Sequence, residues 1–571
     1  MNPNRWVNVN RSGKCILANR INSVEMKEKI LRPAFTLVFL VFLTIQMFAQ
    51  GEFSEEQTPE NWFVLDPATD NVQGLSVDKA YAFLKDQGRE AKPVIVAVID
   101  SGVDIDHEDL QGSIWINEDE IEGNGIDDDK NGYIDDRYGW NFIGGKNGNV
   151  KEDTNELTRE YVRLSKKYEG REESSIKKKE QEEYNYYLKI KEKFESTYEK
   201  AAAQYEFYSG LYDNLNRYNN LLKAYLNVDT VTMYDLRRIS SPDSTVLEAR
   251  NMLGMIFQQL GEDIDFEALS EDLKMSADYF GDQVNYTYNT EFDPRPIVGD
   301  NYEDPYERYY GNSDVKGHDP NHGTHVSGII AANRKNGIGI EGIGNDVQIM
   351  AIRAVPDGDE RDKDVANAIR YAVDNGADII NMSFGKSYSP YKEVVDEAVE
   401  YAESKGVLMI HGAGNDSKDN DNYENFPSRV LDNDEIVGNW LEIGASASGD
   451  GIDFVGSFSN YGKHTVDVFA PGVNIYSTIP NNKYESASGT SMAAPATSGV
   501  AAILMAYYPE LSAYQVKDIL NKSSRKFDNL KVKKPGSEEL VDFSELSISG
   551  GLINAFEAVK MAETMSIEKK N

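Results

Sequence analysis

The sequence predicts an α/β protein with a parallel central sheet, interrupted by an inserted α-helical subdomain that is coiled-coil-like. The first observation is the apolar run at residues 94–99, bounded by Pro93 and Ser101-Gly102, which is typical of a fully buried parallel strand. The second is the alternation of strand-like and helix-like segments between residues 347 and 416. The third is a helical apolar period over residues 184–225, in a region rich in Lys, Glu and Tyr.

Length and charge limit the classes of function. A chain of 571 residues is long enough for two or three domains, and its net charge of −37 argues against binding to nucleic-acid phosphate. The one cysteine, Cys15, lies in the N-terminal region that we expect to be removed. We therefore expect a mature protein without disulfides or a cysteine nucleophile.

The N-terminus has the pattern of an export signal. Basic residues precede an apolar run at residues 34–49, which is shorter than the roughly 20 residues that a membrane-spanning helix needs. We predict a signal peptide at residues 1–49, with Met26 as an alternative start, and a periplasmic or extracellular protein. No second long apolar stretch follows, so we expect no stable membrane insertion.

An N-terminal segment, residues 50–91, with a short helix at 77–84, leads into the first α/β part, residues 92–150. Asp100 ends the predicted buried strand, and open α/β sheets place ligands and catalytic groups at that edge. From this motif alone, Asp100 is either a catalytic carboxylate or an aspartate that caps a loop.

An acidic loop follows and resembles the first half of an EF-hand calcium loop. Oxygen-bearing side chains occupy positions 1, 3 and 5, and a glycine occupies position 6. Tyr138 stands at position 12, where a bidentate glutamate is expected, so the loop is either a partial calcium site or a solvated acidic turn. The candidate ligands in this loop are Asp127, Asp129, Asn131 and Asp135.

The inserted subdomain spans residues 151–300. Apolar or aromatic residues recur in steps of three and four from 184 to 225, which predicts one long amphipathic helix. Shorter helices are predicted at 246–260 and 266–279. The many tyrosines either pack between the helices or form a lid, a partner-binding surface or a self-contact.

The second α/β part spans residues 301–565, with a short tail at 566–571. Strands are predicted at 347–355, 378–385 and 406–416, and helices at 364–375 and 391–405. The polar residues at strand ends, Asp100, Ser383 and Asn415, should converge at one edge of the sheet.

Two further residues, His322 and Ser491, complete a candidate catalytic set. His322 precedes a glycine-containing helix; His322 and His325 lack a third ligand at a zinc-protease spacing, which favours a general base. Ser491 lies among small residues before an alanine-rich run, at the first turn of a predicted buried helix, and is either a helix cap or a nucleophile. In the order Asp100, His322, Ser491, these residues are the parts of a serine hydrolase triad, with Asn415 as an oxyanion donor.

Three motifs carry a family resemblance. Asp100-Ser-Gly, His322-Gly-Thr-His-Val-Ser-Gly and Gly489-Thr-Ser491-Met-Ala-Ala-Pro495 resemble the signature motifs of the subtilisin-like serine proteases, the subtilases. The resemblance implies a three-layer subtilisin-like fold and a secreted serine endopeptidase that acts on proteins or peptides through an acyl-enzyme, without an organic cofactor. The alternative is a non-catalytic or tightly regulated partner-binding protein on the same scaffold.

The resemblance also implies residue roles. Ser491 would attack the peptide carbonyl, His322 would transfer the proton, Asp100 would hold the imidazolium and Asn415 would stabilise the oxyanion. The backbone near Ser383 would pair with the substrate as an additional strand. The expected substrate-binding residues are Ser383, Phe384, Gly385, Ala413 and Gly414.

The family's calcium site is the last implication of the resemblance. Asp109 matches a family calcium ligand, but its usual partner loop, here residues 333–340, carries Arg334 and Lys335, so the loop at 127–136 is the better candidate. The acidic residues between 357 and 364 indicate either a preference for basic substrates or a solvated loop.

Overall fold

The computed structural model describes residues 58–261 and 264–570, and residues from 60 onwards form one compact unit. The predicted signal peptide at 1–49 and the alternative start at Met26 lie outside the described residues. Among the described helices, none is long and apolar enough to cross a membrane.

A nine-stranded sheet forms the centre of the protein, in the order β12-β15-β9-β8-β7-β6-β1-β5-β2. All neighbouring strands run parallel except β12 and β15, which confirms the predicted parallel sheet. The strands of all the described residues, of which β3, β4, β10, β11, β13 and β14 form three separate two-stranded sheets, are β1 (Val94–Asp100), β2 (Gly139–Asn141), β3 (Gly144–Gly145), β4 (Gly148–Asn149), β5 (Val347–Arg353), β6 (Ile379–Met382), β7 (Leu408–Gly412), β8 (Trp440–Ser446), β9 (Val468–Pro471), β10 (Ile475–Ile479), β11 (Lys483–Ala487), β12 (Arg525–Lys526), β13 (Lys531–Lys533), β14 (Leu540–Asp542) and β15 (Gly551–Leu552).

Helices cover both faces of this sheet, as the alternation of strands and helices predicts. The helices are α1 (Pro67–Asp70), α2 (Val77–Asp86), α3 (Glu156–Tyr168), α4 (Gln181–Leu226), α5 (Met233–Arg238), α6 (Ser244–Leu260), α7 (Phe266–Asp282), α8 (Asn321–Ala331), α9 (Asp362–Asp374), α10 (Lys392–Ser404), α11 (Thr490–Tyr507), α12 (Ala513–Ser523) and α13 (Ala555–Lys570).

Strand β1 contributes to the two largest hydrophobic cores, which lie on opposite faces of the central sheet. Val96 and Val98 belong to the core that contains α8 and α11, whereas Ala97 and Ile99 belong to the core that contains α9 and α10. Successive side chains of a strand point to opposite faces, so an unbroken apolar run is the pattern that a three-layer arrangement requires. The carboxyl end of β1 is thereby fixed between two packed layers.

The insert is built around α4, which has 46 residues. Its apolar seam is buried in two separate places. A base cluster packs the first half of α4 against α3, and a distal cluster packs the second half against α5, α6 and the start of α7. Between them the seam is partly open, since Tyr198 and Tyr205 are 38% and 37% exposed. The sequence predicted α4, α6 and α7, but not α3 or α5.

Candidate active site

Asp100 and His322 form a hydrogen-bonded pair at the carboxyl edge of the sheet. Asp100 is the last residue of β1 and His322 the second residue of α8. The Nδ1 atom of His322 donates to both carboxylate oxygens of Asp100, at 2.8 and 3.0 Å. Burial opposes a charge on the ring, but the Asp100 carboxylate outweighs it and raises the pKa of His322 above its usual value.

Ser491 is the second residue of α11, at the helix N-terminus that the sequence predicts. Its Oγ donates to the carbonyl oxygen of Ser383 at 3.0 Å, and Ser383 Oγ donates in return to the carbonyl oxygen of Ser491, also at 3.0 Å. Proton transfer to His322 therefore requires the Ser491 hydroxyl to turn away from Ser383. Catalytic hydrogen bonds commonly form only when substrate is bound.

Asn415 follows β7 and is oriented by Thr490. Its Oδ1 accepts hydrogen bonds from the Thr490 backbone N–H at 2.9 Å and from Thr490 Oγ1 at 3.1 Å. The Nδ2 group is thereby directed towards Gly489, where an added Cβ would lie 3.4 Å from Asn415 Nδ2 and 3.5 Å from the Ser491 nitrogen. Two N–H donors thus border the same space beside Ser491. The sequence analysis did not assign a role to Thr490.

The predicted substrate-binding residues lie on two adjacent strand ends. Ser383, Phe384 and Gly385 follow β6, while Ala413 and Gly414 follow β7. A cavity of about 270 Å³ is lined by residues that include Asp100, His322, Ser383 and Phe384. Gly414 has a φ of 104°, and a Cβ there would lie 2.5 Å from Asn460 Nδ2, so only glycine fits.

The acidic loop brings three carboxylates together, but not the set that its spacing predicts. Oxygens of Glu120, Asp127 and Asp129 lie within 4.8 Å of one another. Asp135 is not part of this group, and its carboxylate accepts from the N–H groups of residues 124 and 125. Asn131 contacts the group as a donor, since its backbone N–H donates to Asp127 and Asp129, while its Oδ1 accepts from the Tyr133 N–H. Glu120, which is 1% exposed, was missed because it precedes the loop and matches no spacing template.

Asp109 is buried beside the loop at 333–340, as the resemblance implies. It accepts hydrogen bonds from Asn336 Nδ2 at 2.7 Å, from the Ile340 N–H at 3.0 Å and from the Tyr484 hydroxyl at 3.3 Å. Asp109 is not one of the three clustered carboxylates of the acidic loop.

The prediction of a solvated loop at 357–364 is wrong for most of its acidic residues. Glu360, Asp362 and Asp364 are buried, while Asp357 is exposed. Asp362 pairs with Lys386 at 2.8 Å, and Asp364 pairs with Arg295 at 2.6 Å. These acidic residues therefore neutralise buried cations of the chain itself, and their number does not indicate a preference for basic substrates.

An aspartate, a histidine and a serine at the carboxyl edge of a parallel sheet, with an amide beside the serine, define the class of serine hydrolases. The chain belongs to the subtilase family (peptidase family S8), which matches residues 91–542.

Individual relatives match over part of their length. A thermophilic serine proteinase from Bacillus sp. (strain AK1) is 39% identical over 222 residues, which cover 39% of this chain and 49% of the relative. Subtilisin DY from Bacillus licheniformis is 35% identical over 215 residues, covering 37% and 72% respectively. A solved structure of proteases from Pseudoalteromonas arctica PAMC 21717 covers 88% of this chain and 97% of its own, with 18% identity and a TM-score of 0.45. The aligned parts thus span between about half and three quarters of the two curated relatives.

Proposed function

We propose that this protein is a serine endopeptidase that hydrolyses peptide bonds through Asp100, His322 and Ser491. The observation that carries the proposal is the pair of hydrogen bonds from His322 to Asp100 in a cavity that Ser383 also lines, together with the Ser491 hydroxyl at a helix N-terminus, which donates to the Ser383 carbonyl. Membership in the subtilase family supports it.

The chemistry follows from these positions. Ser491 Oγ attacks the peptide carbonyl while His322 Nε2 accepts its proton, and the imidazolium is stabilised by Asp100. The carbonyl oxygen becomes an oxyanion that accepts hydrogen bonds from Asn415 Nδ2 and from the Ser491 N–H. His322 then protonates the leaving amine, the C–N bond breaks, and water hydrolyses the acyl-enzyme by the same steps.

The segment 383–385 is proposed as one edge of the substrate cleft. Ser383 and Phe384 line the cavity beside His322, so an extended peptide placed there can pair with their backbone as an added strand. Ala413 and Gly414 follow the neighbouring strand β7 and border the side-chain pocket.

Labelling with a serine-directed fluorophosphonate tests this function. The wild-type protein should react and should cleave peptides, and Ser491→Ala should fold but do neither, losing on the order of 10⁶ in kcat; this magnitude is one already known for subtilisins. Ser457→Ala, at an exposed serine, is the matched control and should behave like wild type. A wild-type protein that neither labels nor cleaves would favour a partner-binding role on this scaffold.

Calcium is the proposed structural ion, bound by Glu120, Asp127 and Asp129. Three oxygen ligands of like charge fit a hard divalent cation, which offsets their mutual repulsion. Among the described residues, no lysine or arginine forms an ion pair with these carboxylates. Calcium at about 100 times its Kd should stabilise the fold by about 2.7 kcal/mol, and chelation should reverse the gain in Tm. Glu120→Gln should reduce this gain, whereas Asp119→Asn, at an exposed acid nearby, should not.

Export by the N-terminal signal is also proposed. The basic flank and short apolar run at residues 34–49 support it. Sequencing the N-terminus of the secreted protein should give a start close to residue 50, and an unprocessed protein retained inside the cell would contradict this proposal.

A further inference from the structure

His411 is a buried histidine that the proposed catalytic steps do not use. It lies on β7, fully buried, and is paired in register with Glu442 on β8. Its Nδ1 lies 3.0 and 3.1 Å from the two carboxylate oxygens of Glu442, and its Nε2 lies 2.7 Å from the carbonyl oxygen of Phe384. Both ring nitrogens therefore face acceptors.

This geometry determines the protonation of the ring. A neutral imidazole carries one N–H, and a carbonyl oxygen cannot donate to the other nitrogen. An imidazolium donates to both acceptors, and the carboxylate in direct contact balances its charge, whereas a neutral ring satisfies the same contacts only if Glu442 carries the proton. The second oxygen of Glu442 also accepts from Trp440 Nε1 at 2.9 Å, so this carboxylate is held as an acceptor.

The surroundings of His411 favour the charged ring. Glu442 faces it from β8, Glu360 acts on it from the loop before α9, and the rings of Trp440 and Phe384 pack around it. Burial opposes the charge, but Glu442, with the Phe384 carbonyl and a smaller contribution from Glu360, outweighs this effect and raises the pKa of His411 above its usual value. The cations near this pair are Lys517, whose Nζ donates to the Trp440 carbonyl oxygen at 2.5 Å, and Lys386, whose Nζ donates to the Glu360 carbonyl oxygen at 2.8 Å.

We propose that the His411–Glu442 pair is a positioning device in which a His411 that is protonated at neutral pH anchors the Phe384 carbonyl and so fixes the 383–385 edge of the substrate cleft. The anchored carbonyl is one residue from Ser383, whose own carbonyl accepts the Ser491 hydroxyl. The pair thus acts through Phe384 and contacts neither substrate nor nucleophile. This inference rests on the proposed peptidase function only for its effect on substrate binding.

The arrangement has a consequence at alkaline pH. Once His411 loses its Nε2 proton, a nitrogen lone pair faces the Phe384 carbonyl oxygen at 2.7 Å, and the two repel each other. The segment 383–385 then loses its anchor, so KM for extended peptides should rise on the alkaline side. Loss of the His322 proton instead raises kcat with pH, because it activates the base.

The first test measures protonation and needs no catalytic activity. Histidine-selective ¹⁵N labelling of the full chain should show N–H signals from both ring nitrogens of His411 at pH 7, assigned by their loss in His411→Gln. Glu442→Gln keeps the shape of the partner but removes its charge, and should reduce His411 to one N–H. A singly protonated His411 in the wild-type protein at pH 7 would overturn the proposal, whether or not the protein is a peptidase.

The second test separates positioning from stability. For a peptide with four residues before the scissile bond, Glu442→Gln should raise KM about fivefold, keep kcat within about twofold, and move the alkaline rise in KM to lower pH. A peptide with one residue before the bond should be little affected. Trp440→Phe, which removes one hydrogen bond to Glu442 but keeps both charges, should leave the alkaline rise in place. A lower Tm in Glu442→Gln with unchanged KM and pH profile would make the pair purely structural and contradict the proposal.

Discussion

Thr490 shows how one side chain outside the triad determines what Asn415 can do. An amide side chain that turns over presents oxygen instead of nitrogen, and oxygen would repel a developing oxyanion. The two hydrogen bonds from Thr490 to Oδ1 fix the orientation with Nδ2 towards Gly489, on the side that the Ser491 N–H also borders. A preorganised donor of this kind is effective because it needs no reorganisation during the reaction.

Asn415→Ala should therefore lower kcat by about 10²–10³ with little change in KM, a magnitude already known for subtilisins. Thr490→Val removes the hydroxyl bond to Oδ1 and the acceptor of the Gly414 N–H, and should cause a smaller loss in kcat, because the Thr490 backbone N–H still holds Oδ1. Steady-state kinetics on a peptide substrate measures both effects. Asn422→Ala, at an exposed asparagine, is the control; an Asn415→Ala variant as active as this control would remove Asn415 from the mechanism.

The pH dependence of kcat/KM should report His322 on the acid side. The base must be neutral to accept the Ser491 proton, and Asp100 raises its pKa above the usual 6.5. Activity should accordingly rise with pH through a midpoint above 6.5. Asp100→Asn should lower kcat by about 10⁴, because the amide cannot fix the required tautomer. An acid limb with a midpoint near 4 would point to a carboxylate instead of His322.

At the scale of elements, a buried ion network ties the insert to the segment 383–385, the proposed edge of the substrate cleft. Lys386 follows Gly385 directly and is buried; its Nζ lies 2.8 Å from Glu156 of α3 and 2.8 Å from Asp362 of α9. Burial opposes ionisation of Glu156, but Arg159 and Lys386 outweigh it and lower the pKa of Glu156 to about 2. Helix α3 is thereby held against the segment that is proposed to form the cleft.

Lys386→Met should destabilise the protein by about 3–5 kcal/mol, because it leaves Glu156 and Asp362 buried without their cation. Denaturant unfolding of this variant and of a control variant measures the change in the free energy of unfolding. Lys274→Met is the control within the insert; it removes an exposed pair with Asp278 and should cost less than about 0.5 kcal/mol. Equal stability of the two variants would show that the network does not hold α3 in place.

The elements that were predicted from the sequence are those in which the hydrophobic pattern repeats without interruption. Strand β1 and helix α4 repeat one pattern over many residues, and the triad residues sit at the ends of such elements. Helix α3 was missed because its buried face carries charged residues such as Glu156 and Glu160, which look solvated in a sequence. Glu442 gave a usable signal, a lone acid inside an apolar run, but its partner His411 lies 31 residues away and becomes visible only when β7 and β8 pair.

At the scale of the whole molecule, the insert divides into a part joined to the α/β domain and a part that packs only on itself. The base cluster includes Tyr288 and Tyr388 at its margin and lies next to the ion network. The distal cluster draws all its residues from 215–273. The two halves are linked through α4 and α7, which approach closely where a Cβ at Gly281 would lie 3.0 Å from the Tyr205 ring.

This division predicts that the distal half can be removed without loss of the fold. Replacing residues 207–279 by a linker of about four glycine and serine residues spans the 8–10 Å between packed helices and keeps the base cluster and Glu156. The shortened protein should stay soluble, keep its activity on short peptides and lose little Tm. Deleting 154–294 should instead leave Lys386 without Glu156 and Arg361 without its second carboxylate, Asp293, and give insoluble protein. Equal solubility and activity of both deletions would show that the base of the insert is dispensable, whereas loss of folding in the shorter deletion would extend the essential region to the distal cluster.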